Sequence, residues 1–234
     1  MSAGGPVANA PVTSVQEAIA RMEAIGASLP DGDGLGCFNR MYLEVTQQVE
    51  SSLGAGFFAD PAFMTQLDVT FANLYFTAVD AAGNPAAVPL AWRPLIEQRA
   101  QPGIEPIQFA LAGMNAHINH DLPLAVTATC TALATSPSAG THQADYQKVD
   151  QLLDAAEQSV RQSFESAPEL AVDRHLQAVN NLVGSWSINS ARDLAWNNSL
   201  LLWEIRGDPF VSGLFGDSLA ASTAAASRML LIAV

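Results

Sequence analysis

Between residues 61 and 81, Phe63, Leu67, Phe71, Leu74 and Ala78 recur every three or four positions. That spacing lays side chains along one face of a helix. The same period runs through "TSVQEAIARMEAIG", "CFNRMYLEVTQQVESSLGAG", residues 143–165, "PELAVDRHLQAVNNLVG" and "SWSINSARDLAWNNSLLLWEI". No stretch alternates apolar and polar residues as a half-buried strand does. Punctuation agrees with the period. Ser14 and Glu17 stand in capping-box spacing, and that helix is expected to stop near Gly26. Asp60 followed by Pro61 reads as an N-cap and first helical residue. A short helix is expected around Trp92 to Arg99, and "QPGIEPIQF" opens the next. "SLPDGDGLG" is acidic but lacks the closing glutamate of a calcium loop, so it reads as a turn. The pattern predicts an all-α fold, a single-domain bundle of about seven to nine helices over residues 14–234. Residues 1–13 read as a disordered lead.

One helix carries an unusual polar insert. "AGMNAHINHDLPLAV", residues 112–126, sets two histidines, two asparagines and an aspartate in an apolar run. At about 100° per residue, Ile107, Ala110, Leu111, Met114 and Ile118 form one apolar stripe. Asp121 falls near its middle and His117 at its edge, while His120 and Asn119 point away. A carboxylate facing the core requires a partner. Pro123 has no amide hydrogen for the carbonyl of Asn119, so a kink or break is expected beside His117 and Asp121.

Partners are sought on other helices. Along 185–205, Ser185, Asn189, Arg192, Trp196, Ser199 and Trp203 share one face, opposite Leu194, Leu201 and Ile205. This reads as a helix between an apolar core and a polar interior, with Arg192 placed to pair with Asp121. Asp68 and Tyr75, two turns apart, are further candidates.

Composition narrows the range of functions. The net charge of −13 argues against nucleic acid or an anionic membrane as partner. The ending "ASTAAASRMLLIAV" is too short and too interrupted for a membrane span and reads as a packed amphipathic helix. Cys37 and Cys130 form no CxxC pair and read as free thiols of a cytoplasmic protein. Lys148 is the single lysine against nine arginines, a bias of high-GC bacterial genomes. The start of the chain lacks the basic and apolar regions of a signal peptide. "RGD" at 206–208 reads as a helix stop. GxSxG, P-loop and Rossmann glycine patterns do not occur, and no cofactor is expected.

The segments "GCFNRMYLEVTQQV", "QLDVTFANLYFTA", "LAGMNAHINHDLPLAV" and "ARDLAW" resemble the bacterial DUF5995 family, from the second helix through Trp196. Asn115, His117, Asn119 and Asp121 match its NAHIN-x-DL signature. The resemblance implies a mostly helical fold and no established general activity.

Three readings of the motif stand. In the first, His117 is a general acid or base oriented by Asp121. Asn115, Asn119, Arg192, Trp196, Tyr75 and Asp68 then bind a small, largely apolar metabolite undergoing cyclisation, isomerisation, elimination or hydrolysis. In the second, His117 and Asp121 are metal ligands of a hydrolase or oxygenase, completed by Asp68, His142 or His175. In the third, the polar set is a buried network beside a non-catalytic ligand cavity. The first is preferred: a small-molecule enzyme, homo-oligomeric or not.

Overall fold

The computed structural model describes residues 10–165 and 187–233. The elements are helices: α1 Val15–Ser28, α2 Gly34–Gly54, α3 Pro61–Asp80, α4 Arg93–Gln98, α5 Pro106–Ala116, α6 Leu122–Ala132, α7 His142–Glu165, α8 Ile188–Ile205 and α9 Pro209–Leu230. Among the described residues there is no strand, so the fold is all-α. The helix expected over 168–184 lies outside the described residues, as do residues 1–9.

Local chemistry sets most boundaries. Ser14 accepts the Glu17 amide, and the Glu17 carboxylate reaches back to the Thr13 amide and hydroxyl. Helix α1 runs past Gly26 to Ser28, because Gly26 serves packing: a side chain there would crowd the Asn39 amide, which donates to the Met22 carbonyl. Contacts to the bundle are made before Ser14. Val12 exchanges two hydrogen bonds with the Asn73 side chain, so the expected lead is shorter at its downstream end. Asp33, in the acidic turn, caps α2 through the Leu35 amide. Asp60 caps α3 through the Phe63 amide, with Pro61 in the first turn. Asp208 of the RGD triplet caps α9.

Helix α5 is central. Residues Ile107 to Ala116 are all buried, the condition of a helix apolar on every side. It packs against α2 and α9, while α6 packs against α3 and α8. Two glycines bring α2 and α5 together. A Cβ at Gly34 would lie 2.4 Å from the Phe109 ring, and one at Gly113 would lie 2.4 Å from Phe38. This approach seats Phe38 beside the polar motif.

Helix α8 turns its Arg192/Trp196 face inward as expected, but its leucine face is not covered by core. Leu194 and Leu201 are exposed, 54% and 46%, whereas Arg192, Trp196 and Ser199 face inward. The Arg192 head group finds its partners on α7, Asp150 and the Tyr146 carbonyl, which offset the cost of burying its charge. Cys37 and Cys130 are free thiols, the second fully buried. No helix among the described residues is long and apolar enough to cross a membrane.

Candidate functional site

Between α5 and α6 the chain forms one π-helical turn, His117–Asp121. The Leu122 amide bonds to the His117 carbonyl, five residues back. Pro123 follows one residue later and withholds the amide that an α-helix would offer Asn119. The disturbance expected from Pro123 is thus an inserted residue rather than a break. Such bulges are frequent at functional sites.

The π-turn converges three nitrogen donors on one carboxylate. Asp121 Oδ2 accepts from Trp92 Nε1–H at 2.8 Å and lies 3.0 Å from His117 Nδ1. Asp121 Oδ1 lies 2.7 Å from His120 Nδ1. Asp121 is 2% exposed, as its position in the apolar stripe predicts, and His117 is its partner. Arg192 is not its partner: it is committed to Asp150 and stacks over the Tyr146 ring. His120, expected to point away, joins the carboxylate instead. A wheel drawn with the α-helical period misplaces residues inside an i→i+5 turn.

Burial raises the Asp121 carboxyl, but the bonds from His117 and His120 outweigh it and hold the group below the usual carboxylate value. His117 is pulled below the usual imidazole value by desolvation, and Asp121 opposes this without restoring it. The stable state is therefore an ionised Asp121 beside a neutral His117. An ionised carboxylate only accepts, so the His117 proton sits on Nδ1. His117 Nε2 is left as a buried acceptor with no hydrogen-bond partner among the described residues.

Aromatic rings hold the imidazole in place. Phe71 stacks on it at 3.4 Å between centroids, with 6° between planes. Tyr42 meets it edge-on at 4.5 Å, and Phe38, Tyr75 and Trp92 complete the surround.

His117 lines a cavity of about 80 Å³ bounded by α2, α3, the π-turn, α7 and α8. Its walls are mainly aliphatic and aromatic, with three flexible methionines, Met41, Met64 and Met114. Five lining residues carry polar side-chain atoms: Tyr42, Asp68, His117, Tyr146 and Arg192. The last two are occupied with one another and with Asp150: the Tyr146 hydroxyl donates to the Arg192 carbonyl. Tyr42 Oη, Asp68 Oδ2 and His117 Nε2 are sealed from solvent without a hydrogen-bond partner among the described residues. Asp68 keeps part of its surface open, yet burial lifts its carboxyl to about 7. Burial pushes the Tyr42 hydroxyl well above its ordinary value, and the charges of Asp68 and Asp121 push it further.

The expected site residues therefore separate. His117, Asp68 and Arg192 line the cavity, and Asp121 stands behind His117. Asn115 is turned to α9, donating to the Thr223 carbonyl and the Ser227 hydroxyl, and its own oxygen accepts from Asn119. The Tyr75 hydroxyl is spent on Asn39, and Trp196 packs against Tyr146 outside the cavity wall. Tyr42 and Trp92 were not singled out by the sequence, where an aromatic in an apolar period is indistinguishable from core. The metal-ligand set does not assemble among the described residues. His142 is stacked on Phe63 and bonded to Ser136 and Asp60, and no group of three or more His, Cys, Asp and Glu is placed to share an ion. His175 lies outside the described residues.

A family model described as a family of unknown function, DUF5995, matches residues 15–233. No curated protein and no solved structure matches the chain.

Proposed function

The chain belongs to the DUF5995 family, and we propose that it is a small-molecule enzyme in which His117 moves a proton to and from a largely apolar substrate held in the cavity between α2, α3, α7 and α8. One observation carries the reading. A neutral imidazole, fixed by a buried carboxylate through Nδ1, lines an apolar cavity and keeps a buried Nε2 with no partner among the described residues. That is the arrangement of a general base.

Each neighbour has a physical role. Asp121 selects the tautomer and stabilises the imidazolium that forms when Nε2 takes a proton. The Trp92 and His120 donors keep Asp121 ionised and immobile. The stacked Phe71 ring fixes the plane in which the Nε2 lone pair is aimed. The mainly apolar walls place few competing polar groups beside the proton being moved. Isomerisation, elimination and cyclisation of a small apolar metabolite all open with such a transfer, and a trapped water activated at Nε2 would give hydrolysis.

An untargeted assay tests this with the substrate still unidentified. A bacterial metabolite extract is incubated with wild-type protein and with His117→Ala, and compound masses and retention times are compared. The proposal expects at least one compound to be converted by wild type alone. A compound that binds both proteins and returns unchanged from both identifies a binding protein and overturns catalysis.

A further inference from the structure

We infer that Tyr42 and Asp68 form a pair of neutral hydrogen-bond donors for a substrate oxygen, so that the cavity takes a small uncharged carbonyl compound with a removable α-proton. The inference rests on the reading of His117 as base and adds the substrate class and two further catalytic residues.

Three elements each bring to the cavity wall a side chain with one buried polar atom that has no partner among the described residues: Tyr42 Oη from α2, Asp68 Oδ2 from α3 and His117 Nε2 from the π-turn. Proteins seldom leave buried polar atoms without partners, because each forfeits the hydrogen bonds it made to water. Only Thr129 and Trp196 carry other such side-chain atoms among the described residues, and neither lines this cavity. The three atoms therefore describe a ligand by its complement. The Tyr42 hydroxyl remains protonated, since burial and the ionised Asp121 oppose its ionisation. An apolar wall favours the neutral acid at Asp68, and a carboxylic acid kept neutral donates a hydrogen bond. His117 Nε2 only accepts. Two donors and one acceptor suit a carbonyl oxygen beside an acidic C–H.

Charge and size restrict the ligand further. Among the described residues the one cation of the wall, Arg192, is paired with Asp150, and none is free to hold a substrate carboxylate or phosphate. The volume of about 80 Å³ lies below the roughly 150 Å³ known to admit benzene. A five-membered ring enters with modest displacement of the methionine side chains, which repack readily.

The chemistry balances without a co-reactant. His117 Nε2 takes the α-proton, the C–H electron pair becomes a carbon–carbon double bond, and the carbonyl π pair moves to oxygen. Tyr42 and Asp68 stabilise the developing oxyanion by hydrogen bonding. The imidazolium then returns the proton to the α-carbon, or to the far end of a conjugated system, which gives an isomer.

Cyclopentanone and its hydrocarbon analogue methylenecyclopentane are suitable probes, with binding and α-proton exchange in D2O followed by NMR. Both are expected to bind wild type, with exchange of the ketone α-protons above the buffer rate. Tyr42→Phe and Asp68→Leu should each weaken ketone binding roughly tenfold and leave the hydrocarbon within about twofold. Asp68→Asn retains a neutral N–H donor and should recover most of the affinity lost in Asp68→Leu. Equal weakening of both probes, or no ketone binding to wild type, overturns the donor pair. So does Asp68→Asn behaving like Asp68→Leu, which would mark Asp68 as a carboxylate. His117→Ala should bind the ketone without exchanging it. Exchange that persists in His117→Ala, or is missing from wild type that binds the ketone, sinks the base and leaves the donor pair standing.

Discussion

Asn115 and Asn119 stand four residues apart, and so do His117 and Asp121, two positions further along the same segment. The first pair is fully bonded: Asn115 reaches Thr223 and Ser227 on α9 and receives Asn119. Gln108, two turns earlier, ties the same helix to the carbonyls of Leu230 and Ile232. The second pair ends in an open valence at His117 Nε2. One face of the motif is therefore a clamp that fastens the C-terminal helix, and the other is a reactive surface. Residue type does not separate the two, since both are buried and polar. What separates them is whether the last polar atom of the chain of bonds has a partner.

Substitutions on the two faces should differ in kind. The largest effect is expected from His117→Ala, which should lower turnover of an identified substrate by about 10²–10⁴-fold. Folding, followed by circular dichroism, should persist with reduced stability, because a ring stacked on Phe71 is lost. Asp121→Asn comes next. It keeps the shape but sets an amide N–H against one of three donors, and denaturant titration should show a loss of about 2–4 kcal/mol. Turnover should also fall, since the tautomer of His117 is no longer enforced. Asn115→Ala leaves the Thr223 carbonyl and the Asn119 amide short of a partner. It should cost about 1–3 kcal/mol with kcat unchanged. A fall in kcat for Asn115→Ala without loss of stability would erase the distinction between the faces.

The smallest effect concerns pH. The Asp68 carboxyl is raised to about 7 in the fold from an unfolded value of 3.8. The folded state then holds the extra proton, so this contribution to stability is full below the unfolded value and is lost as pH rises through about 7. His117 and Asp121 are depressed, and their contributions run the other way, lost as pH falls below about 6.5 for the imidazole and below the usual carboxylate range for Asp121. Asp68→Asn removes the first dependence alone. Thermal melts should show the variant gaining on wild type between pH 5 and pH 8, and parallel curves would contradict the buried neutral acid.

Much of the fold was legible because its determinants are local. The Ser14, Asp60 and Pro61 signals act within one helical turn, and the apolar period of α3 picks out the buried Phe63, Leu67 and Ala78. The burial of Asp121 followed from the same period. What the sequence did not disclose depends on long-range pairing. Arg192 has several carboxylates within reach of a plausible packing, and the choice of Asp150 on α7 is settled by how α8 is rotated. Trp92 comes from a short 3-10 turn 29 residues before Asp121, with no pattern tying the two. Tyr42 sits in a run where an aromatic serves the core as well as it serves a site. The π-turn itself defeats a wheel with a fixed period, which is why His120 falls on the wrong side of it.

The central claim is that His117 is a neutral base with its proton on Nδ1 and its Nε2 bare. Two-bond ¹⁵N–¹H NMR of labelled protein reads this directly, with the His117 signals assigned by their loss in His117→Gln. The structure requires a pyrrole-type Nδ1 and a pyridine-type Nε2 at pH 7, persisting as the pH is lowered past the ordinary imidazole value of about 6.5. A proton found on Nε2, or an imidazolium at pH 7, would contradict it.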